Sequence, residues 1–193
     1  RSAPHWSKRG EMKKYKIAYG VELLIIGVFT SLLFLGVHLP EVLPRAVHRL
    51  LHIAGAIIFL GNITVSALWF GLAVASRKSE WFHFAARLIN VTDLAFTGVG
   101  LILRLWNAAV LAGAYGNLFA VGWLKWALIY FTMTGVLWMF VLIPLQLRFL
   151  RHAEAGLMPW SDQREQQLLA IYNAAGGLAV LLVIASLVRM VLK

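Results

Sequence analysis

The chain has 193 residues, 61% hydrophobic and 13% charged, with eighteen Lys and Arg against eight Asp and Glu and a formal net charge of +10. Soluble domains run at about 45–50% apolar and about 25% charged, so this chain cannot hide its apolar surface in water. The basic excess is that of membrane-protein loops; basic aromatic runs suited to nucleic acid are absent, and the lack of cysteine excludes disulfides, thiolate metal sites, iron–sulfur clusters and covalent c-type haem.

Five apolar runs follow in chain order, at about 18–38, 46–75, 90–112, 119–147 and 167–191. Each matches the roughly 17–25 residues that cross a bilayer as a helix. The first comes after "SKRGEMKKYK". A signal peptide would have a shorter apolar run of about 7–15 residues and a small-x-small cleavage site, so a retained anchor helix is expected. Because the chain opens at Arg1 and not at methionine, upstream sequence is expected to have been removed or left unnumbered. The longest loop, "RHAEAGLMPWSDQREQQ", is too small for a domain; in it Ser161 or Asp162, with Glu165 nearby, predicts that the fifth helix starts before it enters lipid. Twelve Lys and Arg lie in the N-terminal flank and the second-to-third and fourth-to-fifth loops, against Arg45, Arg49, Arg189 and Lys193 opposite. Positive charge stays in the cytoplasm, which puts the N-terminus inside and the C-terminus outside.

Polar residues within the spans show which face meets protein. Arg45, His48, His52, Gly55, Phe59, Asn62, Ser66 and Trp69 form one stripe at steps of three and four, and Asp93, Thr97, Gly100, Arg104 and Asn107 form another. The fourth span offers Lys125, Thr132, Gly135 and Met139, and the fifth Gln166, Ala170, Asn173 and Gly177; in the first, Glu22 and Thr30 are not joined by such a stripe. The expected fold is therefore all-α: a polytopic membrane protein of five transmembrane helices. Residues 1–45 form a basic flank and peripheral N-terminal helix, and residues 46–193 a four-helix core bundle.

Small residues and hydroxyls along such stripes commonly serve close packing. Ionisable ones need a further reason, since a charge at the bilayer centre costs at least about 2.5–3.5 kcal/mol. His52, Arg104 and Lys125 are expected at similar depth, with Arg45, His48 and Arg49 just above them. That makes a cationic pocket with almost no acid, which invites an anionic ligand such as porphyrin propionates, lipid phosphates or the carbonyls of a quinone. A neutral imidazole can also bind haem iron. Snorkelling of Arg45, Arg49 and Lys125 to the interface is the bland alternative.

The run "LHIAGAIIFLG", with His52, Gly55, Ala56, Phe59 and Gly61, resembles the first core helix of a family of bacterial predicted integral membrane proteins of unknown function. "WLKWALIYFTMTGVLW" looks like that family's third core helix. More distantly, the layout is similar to the HemJ-type protoporphyrinogen oxidases and the copper-resistance D-like membrane proteins. In the HemJ-type group a histidine on the first core helix and a lysine on the third are associated with b-type haem; His52 matches the former by position and Lys125 approximates the latter. The proline-arginine end of the HemJ helix has no counterpart after Trp69. The resemblance implies a bacterial inner (plasma) membrane protein.

Three functions compete. The first is a redox or porphyrin-handling protein with haem b: His52 as axial metal ligand, Lys125 as second ligand or propionate partner, and Arg49, Arg104 and His48 as further cofactor-binding residues. Any enzyme activity would then be that of a haem-dependent oxidoreductase. The second is an accessory subunit of a larger membrane complex, or a homodimer, without its own cofactor. The third is copper handling by His48 and His52 with Met133 or Met139, disfavoured by the surrounding positive charge. A proton pathway through Glu22, Asp93 and Arg104 lacks a continuous carboxylate line.

Overall fold

The computed structural model describes residues 5–192, with side chains from residue 12 onward. It contains five helices long and apolar enough to cross a membrane. They are α1 (His5–Phe34), α2 (Arg45–Ala75), α3 (Ser79–Ala112), α4 (Gly122–Glu154) and α5 (Gln163–Val191). We call the end bearing Arg45, Ala112 and Gly122 the upper end. The expected five spans are present. The third and fourth extend further at the lower end than their apolar runs suggested.

Each extension adjoins an interruption in the helical winding, before it in α3 and after it in α4. A π-helical turn at Asp93–Gly98 divides α3 and another at Trp138–Leu142 divides α4. The latter ends two residues before Pro144, which has no N–H to give and whose ring clashes with the preceding turn; the wider π turn absorbs that defect. Two residues beyond the end of α4, Gly156 adopts a φ of +76° so that Leu157 N can reach His152 O at 2.8 Å. α5 starts on Asp162, whose Oδ1 accepts the Glu165 N–H at 2.9 Å, so of the two caps the sequence offers, Ser161 and Asp162, the second is used. Glu165 also pairs with Arg148 and lies 3.2 Å from His152 Nδ1, which ties the start of α5 to the end of α4.

The bundle is built from two antiparallel pairs. α2 and α3 meet along the two polar stripes. His48 Nδ1 bonds Asn107 Oδ1 at 2.7 Å, His52 Nδ1 bonds the Arg104 carbonyl at 2.9 Å, and Asn62 Nδ2 reaches Thr97 at 2.8 Å and Asp93 at 3.1 Å. Between these rungs, Gly55 and Gly100 put backbone against backbone: a Cβ on Gly55 would lie 2.7 Å from Gly100 O and 2.8 Å from Arg104 N. α4 and α5 pair through Ser186 Oγ on the Ala127 carbonyl at 3.0 Å. At the lower end Phe70, Phe82, Phe149 and Tyr172 interlock, with ring centroids 5.2–6.4 Å apart.

α1 stands at the side of this bundle, chiefly against α3. Its contact stripe is Tyr15, Tyr19, Ile26 and Leu33, all buried, with Phe29 edge-on to Trp106. The period was present in the sequence but carried by large side chains, so a search for small and polar residues passed over it. Glu22 extends that stripe, its carboxyl group covering Gly98 in the π turn of α3.

Candidate functional site

A cavity of about 340 Å³ opens among the upper halves of α2, α3 and α4, closed on one side by Leu33 of α1 and Met190 of α5. Its wall is mostly apolar and aromatic, with Tyr115, Trp123 and Phe131 the largest contributors. The polar exceptions are Arg45, Arg49, His52 and Arg104, and among the described residues no acidic side chain lines it.

Arg104 is the unusual member. It is only 3% exposed, yet its Nη1 has no hydrogen-bond partner. Nη2 has only the Met190 sulfur at 3.9 Å, and the guanidinium carbon lies 4.6 Å from the centroid of the Phe131 ring. Cation–π contact offsets part of the cost of removing this charge from water, about 2 kcal/mol when desolvated. The orphaned N–H groups still lack an acceptor.

His52 is oriented for work at the cavity. A carbonyl oxygen can only accept, so the 2.9 Å contact fixes the proton on Nδ1 and leaves the lone pair on Nε2. Metal-binding histidines are usually held this way, with the second ring nitrogen donating to a carbonyl or carboxylate. His48 differs. Its Nε2 accepts from Leu43 N at 3.2 Å, so its proton is on Nδ1 and is given to Asn107. Both nitrogens are engaged, the residue is 1% exposed, and it does not line the cavity. It pins the entry of α2 to α3.

The structure thus brings together His52, Arg104, Arg49 and Arg45 but not His48 or Lys125. α4 begins at Gly122, which leaves Lys125 only about 4.5 Å into the helix, whereas His52 and Arg104 lie about 10 and 12 Å from the upper ends of theirs. Trp123, Leu124, Ala127, Leu128 and Phe131 make the α4 wall. Helical spacing turns Lys125 off that face, and its Nζ stands 5.5 Å from the Trp126 ring centroid. Arg49 is exposed at the rim, and Arg45 donates to the Leu111 carbonyl at 3.2 Å.

A second polar centre lies in the lower half, where both π turns converge. Asp93 opens one and Trp138 the other, and the indole N–H of Trp138 donates to Asp93 Oδ2 at 3.3 Å. Gln146 donates to the same oxygen at 2.9 Å, and Thr97 and Asn62 each donate to Oδ1 at 3.1 Å. Sequence reading found the members of this centre on the α2 and α3 stripes but missed Trp138, Gln146 and Tyr172. The π turn shifts the face of α4 below residue 138, which hid Gln146, and Tyr172 lies off the α5 stripe of Gln166, Ala170 and Asn173.

The geometry defines a polytopic helical membrane protein with a ligand-sized, cation-bearing cavity in one half of its bundle. By sequence the chain belongs to the DUF2269 family of predicted integral membrane proteins, whose family model matches residues 46–193. That range holds α2 to α5 and leaves α1 outside. No curated protein and no solved structure matches the chain.

Proposed function

We propose that the protein binds an amphipathic carboxylate in the upper cavity, and that this ligand is a non-covalent b-type haem serving a redox or porphyrin-handling role. The observation that carries this reading is Arg104, a buried cation whose N–H groups lack acceptors beside an apolar cavity. Such a group costs roughly 1–3 kcal/mol or more unless an acceptor arrives, and a carboxylate is the acceptor a guanidinium suits best.

The donor set fits the two chemical ends of a haem. Arg104 and the rim residue Arg49 would take propionates, and the Nε2 lone pair of His52 would take iron. The HemJ-type resemblance implies the same role for His52. A volume of about 340 Å³ falls at the low end of the 300–1,000 Å³ range of ligand pockets, so part of a porphyrin would extend beyond it through the open side. His52 positions the group through its lock on the Arg104 carbonyl, and Arg104 neutralises its carboxylate away from water. Bound there, a haem would supply one-electron chemistry. Lys125 has no part in this reading.

The test is the optical spectrum of protein purified in mild detergent from haem-replete cells. A Soret band that His52→Ala removes, with the variant still monodisperse and helical, is the expected result. A colourless preparation whose mass is that of the bare polypeptide would refute haem binding.

A further inference from the structure

The Asp93 centre has no part in the ligand chemistry proposed for the upper cavity. Asp93 is 3% exposed and carries a full set of four donors, from Asn62, Thr97, Trp138 and Gln146. All four are neutral. They occupy the carboxylate's lone pairs, so a proton could settle there only by displacing one of them. They do not cancel its charge. Among the described residues no ion pair includes Asp93; Glu22, itself an acid, covers the same π turn, and the cations of α3 are the exposed Arg87, six positions before Asp93, and Arg104, eleven positions after it. At 1.5 Å per residue Arg104 is about 16 Å away.

Beside this carboxylate lies a separate cavity of about 100 Å³, lined by Asp93, Gln146, Ser66, Tyr172 and Asn173 among apolar neighbours. Gln146 lines this cavity and is 3% exposed; its Nε2 is used twice, on Asp93 and on the Tyr172 hydroxyl at 3.3 Å, while its buried Oε1 has no hydrogen-bond partner among the described residues. An acceptor without a donor, hydroxyl oxygens and a carboxyl group without an ion-pair partner among the described residues therefore share one small space.

The geometry points to a binding site for a small monovalent cation: Gln146 Oε1 and the hydroxyl oxygens of Ser66 and Tyr172 supply ligands, and Asp93 supplies the charge. The size limits the occupant. Liquid water takes about 30 Å³ per molecule, so a space of about 100 Å³ holds a small ion with up to about two waters and no bulky organic cation. Divalent hard cations want six or more oxygens or several carboxylates, and no group of three His, Asp or Glu that could hold a metal occurs among the described residues. The exposed Asn173 and Gly177 of α5 lie on the rim. The two π turns fit this role: each widens the helix beside the carboxylate and directs a side chain to it, and such turns are frequent at functional sites.

Thermal unfolding of the full chain in detergent, with sodium chloride titrated against choline chloride at constant ionic strength, tests the site. Potassium and ammonium chloride run in parallel. The expected result is a saturable rise in the unfolding midpoint with at least one of the three small cations and none with choline. Gln146→Leu should weaken the apparent affinity about tenfold or more, since one lost ligand bond is worth about that factor. Ser66→Ala gives up a single long hydrogen bond among the described residues, the 3.4 Å contact to Asn62, so it should fold normally and weaken the affinity as well. A midpoint that ignores all three cations in wild type but moves with pH would assign the neutralising charge to a proton and overturn the proposal. So would a cation response that Ser66→Ala and Gln146→Leu leave intact.

Discussion

Replacing Arg104 by methionine separates the cost of this residue from its use. Placing an arginine at a helix centre in lipid costs about 2.5–3.5 kcal/mol, and the residue recovers about 2 kcal/mol from the ring of Phe131 at 4.6 Å. Methionine keeps the bulk, and its flexible thioether packs against Met190 and Phe131 without a desolvation penalty. The ligand-free Arg104→Met protein should therefore be more stable than wild type by on the order of 1 kcal/mol. For a chain of this length that raises the unfolding midpoint by about 2–4 °C. The same variant should lose affinity for the anionic ligand, so that wild type becomes the more stable protein once ligand is present. Differential scanning fluorimetry in one detergent, with and without haemin, reads both effects. A ligand-free variant that unfolds several degrees lower than wild type would show that the guanidinium is a structural member of the bundle, and the reasoning would fail.

Other substitutions probe the frame. Gly55→Leu would drive a side chain into Gly100 O and Arg104 N, backbone atoms that cannot move aside; it should cost about 1–3 kcal/mol or more and break the His52 lock, whereas Gly61→Ala, with nothing within 4 Å of the added carbon, should be neutral. Asp93→Leu takes the acceptor from four buried neutral donors, of which Asn62 and Gln146 keep a second partner, and should destabilise by about 1–3 kcal/mol or more, seen as a lowered unfolding midpoint or loss of monodisperse protein. Asp162→Ala removes the cap on Glu165 N and should cost about 1 kcal/mol, read in the same assay without any change in ligand binding.

The antiparallel pairing of α2 and α3 was legible because membrane helices place polar side chains only where they have partners. His52, Asn62, Thr97, Asp93 and Asn107 therefore mark one interface from either strand of the pairing. The cluster of Arg45, Arg49, His52 and Arg104 followed from depth along those stripes. Lys125 did not, because its helix starts three residues later than the apolar run suggested and so both its depth and its direction were misjudged. The Asp93 centre was hidden for a different reason. Trp138 and Gln146 are eight positions apart in a helix whose winding changes between them, so a period of 3.6 carried through Pro144 assigns them to the wrong face. His48 shows the limit of residue type as a guide: it stands one turn from His52 on the same stripe, and only the hydrogen bonds from Leu43 and to Asn107 distinguish a joint from a ligand.

Native mass spectrometry of the protein released from lipid nanodiscs, prepared without added ligand, tests the central claim most directly. The account predicts a retained non-covalent mass equal to haem b in wild type, lost in Arg104→Met and in His52→Ala. A bare polypeptide mass in every sample, or a bound species that both variants keep, would contradict it.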